Sequence, residues 1–222
     1  MIYRELSTRS GVYFVYRKCV KRLLDVMCAF VALLVFSPIM LTVSVMIRLK
    51  MGSPVLFVQE RIGLQEHPFK IIKFRTMSSA VDQNGKLLPD RERLSSFGMF
   101  LRSSSIDELP ALLNIVKGEM SFIGPRPLPV KYLPFFYTHE RVRHEVRGGL
   151  SGLAQINGRN TIGWEERFAF DAKYVENLKF RQDVSIFFKT IEKVFKRENI
   201  GIRGETGLLD FHIYRQEKLD KS

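Results

Sequence analysis

Asp107 and Glu108 are adjacent acids in the segment LRSSSIDELPALLNIVKGEMSFIGPRP, and cations crowd the same stretch. Arg102 lies five residues before Asp107, Arg126 stands between two prolines, and Lys73 and Arg75 close the run FKIIKFR. Such a set suits phosphoryl transfer. Arginine forks can hold phosphate oxygens bidentately and lysine supplies a point charge. Carboxylates can hold Mg2+, which neutralises a diphosphate, or can attack phosphorus directly to give an acyl phosphate. No glycine-rich Walker loop accompanies them, so an ordinary P-loop kinase is not indicated. Taken alone, the acids have a simpler reading. Negative charge in a first helical turn stabilises the helix, and Ser105 with Glu108 has the spacing of a capping box.

The elements that must position these residues can be read from periodicity and turn signals. Leu109, Leu112, Leu113 and Val116 form an i, i+3, i+4, i+7 stripe, with Lys117 in the last turn and Gly118 at the stop. Pro110 is tolerated only in a first turn, so this helix is expected to begin at Asp107 or Glu108. VLFVQ and FKIIKF read as short strands after the turn signal Gly52-Ser53-Pro54, and Asn84-Gly85 marks a turn in the polar loop that follows. Near the C-terminus Val184, Phe187, Phe188, Ile191, Val194 and Phe195 share a helical face, with Lys189, Lys193, Lys196 and Arg197 on the rest. That helix is either an ordinary domain helix with a solvated basic face or one lying on an anionic membrane surface.

The bulk numbers narrow the partners. The chain has 222 residues, with 35 Lys and Arg against 23 Asp and Glu, a formal charge of +12 that suits anionic partners. From Val26 to Ile47 there are 22 residues without a charge, which is membrane-span length at ~1.5 Å per residue. The competing reading is a buried helix of a soluble domain. Pro38 removes an amide donor in the middle of the run, so a kink is expected there, and Ser37 can hydrogen-bond a carbonyl freed by it. Basic residues flank both sides: Lys18, Lys21 and Arg22 before, Arg48 and Lys50 after. Cytoplasmic flanks are the basic ones, so a helix that breaks at Ser37-Pro38 and returns accounts for both features. Cys19 and Cys28 lie in or beside this run and imply no disulfide framework, and the four histidines show no zinc spacing.

Taken in order, KRLLDVMCAFVALLVFSPIM, FKIIKFRTM, LRSSSIDELPALLNIVKGEMSFIGPRP, and GLAQINGRN followed by Trp164, Asp171 and Tyr174 resemble the bacterial monotopic phosphoglycosyl transferases, small polyprenyl-phosphate sugar-phosphate transferases of the bacillosamine-transferase type. The resemblance runs from about Lys21 to Thr190. It implies transfer of a phosphosugar from a UDP-sugar to undecaprenyl phosphate, giving UMP and the diphosphate-linked sugar, the first membrane step of a surface glycan. It also implies that Asp107 is the nucleophile of a covalent phosphosugar intermediate. Glu108 assists, through Mg2+ or by activating the lipid phosphate, and Asp107 and Glu108 are the metal-binding pair. Lys73, Arg75, Arg102, Arg126, Asn157 and Arg159 are the expected substrate-binding set, and Ser37 and Pro38 the membrane bend. The sugar expected by resemblance is an N-acetylated amino or deoxy-amino sugar. Gly148 and Leu153 stand where many relatives carry proline and tryptophan, which bears on sugar preference and leaves the dyad region intact.

The expected architecture is an α-rich α+β fold. A re-entrant helix-break-helix membrane element over 21–50 joins a compact cytosolic catalytic domain over 51–200 with short strands and interfacial amphipathic helices. An N-terminal extension covers 1–20 and a C-terminal tail 201–222. The expected location is the bacterial inner membrane, monotopic, with the catalytic domain on the cytoplasmic face, in contact with inner-membrane lipids; a homo-oligomer stays open. A non-catalytic module that binds anionic lipid or scaffolds a glycan pathway explains the charge and the anchor but not two acids amid arginines. Nucleic-acid binding explains only the charge, and no nucleic-acid motif is present.

Overall fold

The computed structural model describes residues 15–158, 162–196 and 209–220. Arg159 and Arg197 lie outside them. A π-helical turn, Tyr16–Val20, leads into helix α1, Lys21–Met51, of 31 residues. VLFVQ and FKIIKF fall in strands as expected, β1, Leu56–Ile62, and β2, Pro68–Phe74, which pair antiparallel with Phe57 opposite Lys73. Helix α2, Ser96–Ser103, is followed by a 3-10 helix, Ile106–Ala111, and by α3, Leu112–Lys117. Strands β3, Met120–Ile123, and β4, Gly148–Ser151, form a parallel pair. Helices α4, Trp164–Glu176, α5, Phe180–Phe195, and α6, Phe211–Asp220, complete the described chain.

Helix α1 is no core helix. Only 11% of its most apolar 18-residue stretch is buried, which removes the soluble-core reading of the run. Its two halves are nevertheless tied to the rest of the protein. In the first half, Arg22 donates to the carbonyls of Ile115 and Val116 at 2.6 and 3.0 Å, where a cation meets the negative end of α3. Asp25 accepts from the Phe122 amide at 3.1 Å, and Ala29 is fully buried against Phe69, Ile71 and Ile115. In the second half, Val43 and Ile47 pack with Phe74 and Leu101. Between them, residues 34–39 are all exposed.

The expected break at Ser37-Pro38 does not interrupt the helix, which runs continuously through Pro38. The physical reason is local repair. Pro38 cannot donate to the Leu34 carbonyl, and the Ser37 hydroxyl donates to that same oxygen at 2.8 Å. Thr42 likewise donates to the Pro38 carbonyl at 2.9 Å.

Other expectations change in detail. The capping box is absent: Ser105 sits in the left-handed region with φ 57° and caps with no side-chain bond. The helix after it starts as a 3-10 turn at Ile106, and Gly118, with φ 93°, ends α3 as expected. Within the stripe, Leu113 is 39% exposed and Ile115 is fully buried, because the tighter 3-10 entry rotates the face that meets the core. On α5 the apolar face looks outward: Phe180, Phe187, Phe188 and Ile191 are exposed, while Ile186 carries the packing. Within the expected C-terminal tail the described residues include α6, whose Phe211 and Arg215 are buried.

Candidate active site

The left-handed Ser105 turns the chain sharply between α2 and the 3-10 helix, setting Asp107 and Glu108 in that helix's first turn beside β2. Lys73 of β2 places its ammonium 2.5 Å from Glu108 Oε1, and Arg126 Nη2 lies 2.8 Å from the same oxygen. The turn that carries Arg126 is held on both sides. Gly149 of β4 donates its amide to the Pro125 carbonyl at 3.0 Å, and Gly124 donates to the Ser151 carbonyl at 2.8 Å. A Cβ at Gly149 would fall 2.2 Å from the Gly124 nitrogen, so the approach of β4 to this turn requires a residue without one.

The two acids differ in electrostatic state. Burial works against charge on Glu108, but Arg126 and Lys73 outweigh it and hold the carboxyl well below the usual range. Asp107 is 9% exposed and accepts no hydrogen bond from the described residues. Burial, reinforced by the Glu108 charge, pushes its carboxyl up to about 6 against the pull of Lys73, Arg126 and Arg102. Burial lowers Lys73, with Glu108 opposing that shift. The Arg126 side chain is 42% exposed, so part of its charge faces solvent where an anion can reach it. Glu108 is a fixed counter-charge; Asp107 is a buried carboxyl without a direct partner among the described residues.

Two cavities meet at Glu108. The smaller is basic, lined by Arg61, Lys73, Arg126, Pro127 and Gly149. The larger, about 200 Å3, is mostly apolar and runs from Ser105, Glu108 and Leu109 past Phe122 and Leu150 to Val194 of α5 and to Ala32 and Phe36 of α1. The site thus has a charged side suited to a diphosphate and an apolar side walled by the membrane-length helix.

The remaining expected residues fall in different places. Arg102 donates from Nε to Thr76 Oγ1 at 2.9 Å and acts on Asp107 through its charge. Arg75 is not aimed at the dyad. Its guanidinium donates to the carbonyls of Ser53, Met51 and Gly52, tying β2 to the C-terminal end of α1. Asn157 is exposed and donates to the Leu153 carbonyl at 2.7 Å, closing a short helix. Arg61 was absent from the expected set, although it lines the basic cavity; a lone arginine in a strand carries no signal. Arg143 was missed too. It pairs with Asp171 at 2.9 Å, both side chains 2% exposed, and donates to the Arg126 carbonyl at 2.8 Å.

The dyad fits Mg2+ only in part by itself. Among the described residues no third His, Cys, Asp or Glu joins it. That is the donor set expected for a hard cation that keeps its waters and takes phosphate oxygens from a substrate through one or two carboxylates.

The family described as bacterial sugar transferase matches residues 16–197 of this chain. A protein of Bacillus subtilis named as the uncharacterised sugar transferase EpsL is 48% identical over 81% of this chain and 89% of its own length. The UDP-glucose:undecaprenyl-phosphate glucose-1-phosphate transferase of Caulobacter vibrioides is 34% identical over 81% of this chain and 71% of its own length. The UDP-N-acetylgalactosamine-undecaprenyl-phosphate N-acetylgalactosaminephosphotransferase of Aeromonas hydrophila is 37% identical over 79% of this chain, which covers 43% of that longer protein.

Proposed function

The chain belongs to the bacterial sugar transferase family, and on that premise we propose that it is a phosphoglycosyl transferase moving a sugar phosphate from a UDP-sugar to undecaprenyl phosphate. The observation that carries the reading is the position of the dyad, with a basic cavity on one side and an apolar cavity reaching α1 on the other.

In the proposed reaction the diphosphate lies against Lys73, Arg126 and Arg61. An Asp107 oxygen attacks the phosphorus that carries the sugar. The bond from that phosphorus to the UMP oxygen breaks, and UMP leaves with the electron pair. An oxygen of the polyprenyl phosphate, delivered from the apolar side, then attacks the same phosphorus. The acyl-phosphate bond breaks and Asp107 returns as carboxylate. Glu108 is poorly placed to attack because two cations neutralise one of its oxygens, whereas Asp107 is dehydrated and raised in basicity, which favours a nucleophile. Glu108 instead fixes Lys73 and Arg126 and helps activate the incoming lipid phosphate. Asp107 and Glu108 would hold Mg2+, whose charge would offset that of the diphosphate.

The same reading sets α1 in the inner membrane as a re-entrant element, an uninterrupted helix bent at Pro38, with the catalytic domain on the cytoplasmic face. What supports it is the attachment of both halves to one domain while residues 34–39 between them are exposed, Phe36 reaching the rim of the apolar cavity. The outward Phe187, Phe188 and Ile191 of α5 fit the headgroup boundary. We further propose an N-acetylated amino or deoxy-amino sugar as substrate, the class named for the Aeromonas relative; glucose, named for the Caulobacter relative, is the competitor. A panel of UDP-sugars, scored for UMP release with and without undecaprenyl phosphate, tests both levels. Release with none of them contradicts the function, and release with UDP-glucose alone contradicts only the sugar. A non-catalytic surface module leaves without a purpose the cost of burying the Asp107 carboxyl, which has no hydrogen-bond donor among the described residues.

A further inference from the structure

Helix α6 lies beyond residue 197, where the family match ends, yet it is built into the domain. Phe211 is fully buried, with its ring centroid 5.0 Å from both Phe136 and Phe168 and 5.2 Å from Trp164. One turn on, Arg215 is buried as well. It pairs with Glu140 at 2.6 Å and lies 3.8 Å from the centroid of the Tyr137 ring. Glu140 also accepts from the Tyr137 amide at 2.7 Å, so α6 fastens the 3-10 segment Thr138–Glu145 at its start.

That segment carries Arg143. The rings gripped by Phe211 are the ones that hold the Arg143 guanidinium, at 5.5 Å from the Phe136 centroid and 5.4 Å from Phe168. Asp171 takes both Nε and Nη2 of Arg143, and Nη2 also reaches the Arg126 carbonyl at 2.8 Å. Arg126 in turn bonds Glu108. A continuous run of contacts therefore joins the C-terminal helix to the dyad: Phe211, the Phe136 and Phe168 rings, Arg143, the Arg126 main chain, Glu108.

We propose that Arg143 is a positioning residue that sets the Arg126 turn against Glu108, and that α6 is the clamp that keeps Arg143 in place. The guanidinium is suited to this. Its planar fork can satisfy Asp171 and a carbonyl at once while its face rests on aromatic rings, an arrangement an ammonium cannot reproduce. Small displacements of a substrate-holding cation are costly to turnover, so loosening the clamp reads out as activity before it reads out as unfolding.

The inference rests on Arg126 acting in the proposed reaction, and a double-mutant cycle on the full chain separates the two. Phe211→Ala is expected to lower kcat/KM by about tenfold in the wild-type background and by less than about twofold once Arg126→Ala is present. Arg143→Lys is expected to mimic Phe211→Ala, and hydrogen exchange at residues 123–128 is expected to speed up in both. Assays run well below each variant's Tm. Equal losses in the two backgrounds, or a fall in Tm with unchanged kcat/KM and unchanged exchange at 123–128, overturn the proposal. Absence of turnover in the wild type contradicts the function instead, and the exchange measurement still reports on the clamp.

Discussion

The Lys73 ammonium lies 2.5 Å from Oε1 of Glu108, joining a strand residue to the second acid of the dyad across 35 positions of sequence. With Arg126 on the same oxygen, this contact makes Glu108 a fixed anion and leaves its neighbour Asp107 buried without a direct donor among the described residues. The division of labour between two adjacent carboxyls follows from which of them the cations reach.

Asp107 should therefore cost the fold stability at neutral pH. Its folded-state value, near 6, lies above the ordinary 3.8, so the folded state holds this proton more tightly than the unfolded chain. The favourable contribution is complete below about pH 4 and is lost as pH rises through 6. Asp107→Asn removes the charge while keeping the shape. It should raise stability by something on the order of 1–2 kcal/mol at pH 7.5, or Tm by about 2–8 °C, while abolishing UMP release. Thermal unfolding in detergent without divalent metal checks it; a lower Tm for the variant would count against the burial argument.

His144 should make the protein acid-labile. Burial, with Arg143 and Arg141 adding to it, lowers the ring to about 3. The neutral ring sits between Arg143 Nη1 at 3.5 Å and Glu66 at 3.2 Å. A folded value below the unfolded one means stability is full above about pH 6.5 and declines as pH falls toward 3. At pH 5 the loss should be about 2 kcal/mol. His144→Gln should flatten the dependence of Tm on pH between 7 and 5; an unchanged slope would assign the acid sensitivity elsewhere.

The membrane placement of α1 makes its own prediction. Single cysteines at Val15 and Ser53, in a chain with Cys19 and Cys28 replaced, should react with an impermeant maleimide from the same face of sealed vesicles. Labelling from opposite faces would mean that α1 crosses the bilayer.

Much of this site is legible in the sequence, and what is hidden has a physical cause. Lys73, Arg126 and the dyad could be picked out because opposite charges concentrated at a strand end and on turned backbone have few other uses. The uncharged run could be recognised because 22 such residues in a row match a membrane span in length. Arg75 could not be told from Lys73: both close one strand, and only the fold brings the Ser53 and Gly52 carbonyls under the Arg75 guanidinium. Helical spacing marked Leu113 as inward because it reports a period, not where a 3-10 entry sets the phase. The docking of α6 was hidden for another reason. Its hold rests on Phe211 and Arg215, and a short segment with isolated apolar residues carries no stripe.

The central claim is that Asp107 itself becomes phosphorylated by the sugar phosphate. It is tested by intact-protein mass spectrometry of the purified enzyme with its UDP-sugar and Mg2+ in the absence of undecaprenyl phosphate. The account predicts a stoichiometric gain of one sugar-phosphate mass, mapped to the peptide containing Asp107, released on adding the lipid phosphate, and missing in Asp107→Asn. An adduct on another residue, or active enzyme that releases UMP only when the acceptor is present and never carries the added mass, would contradict it.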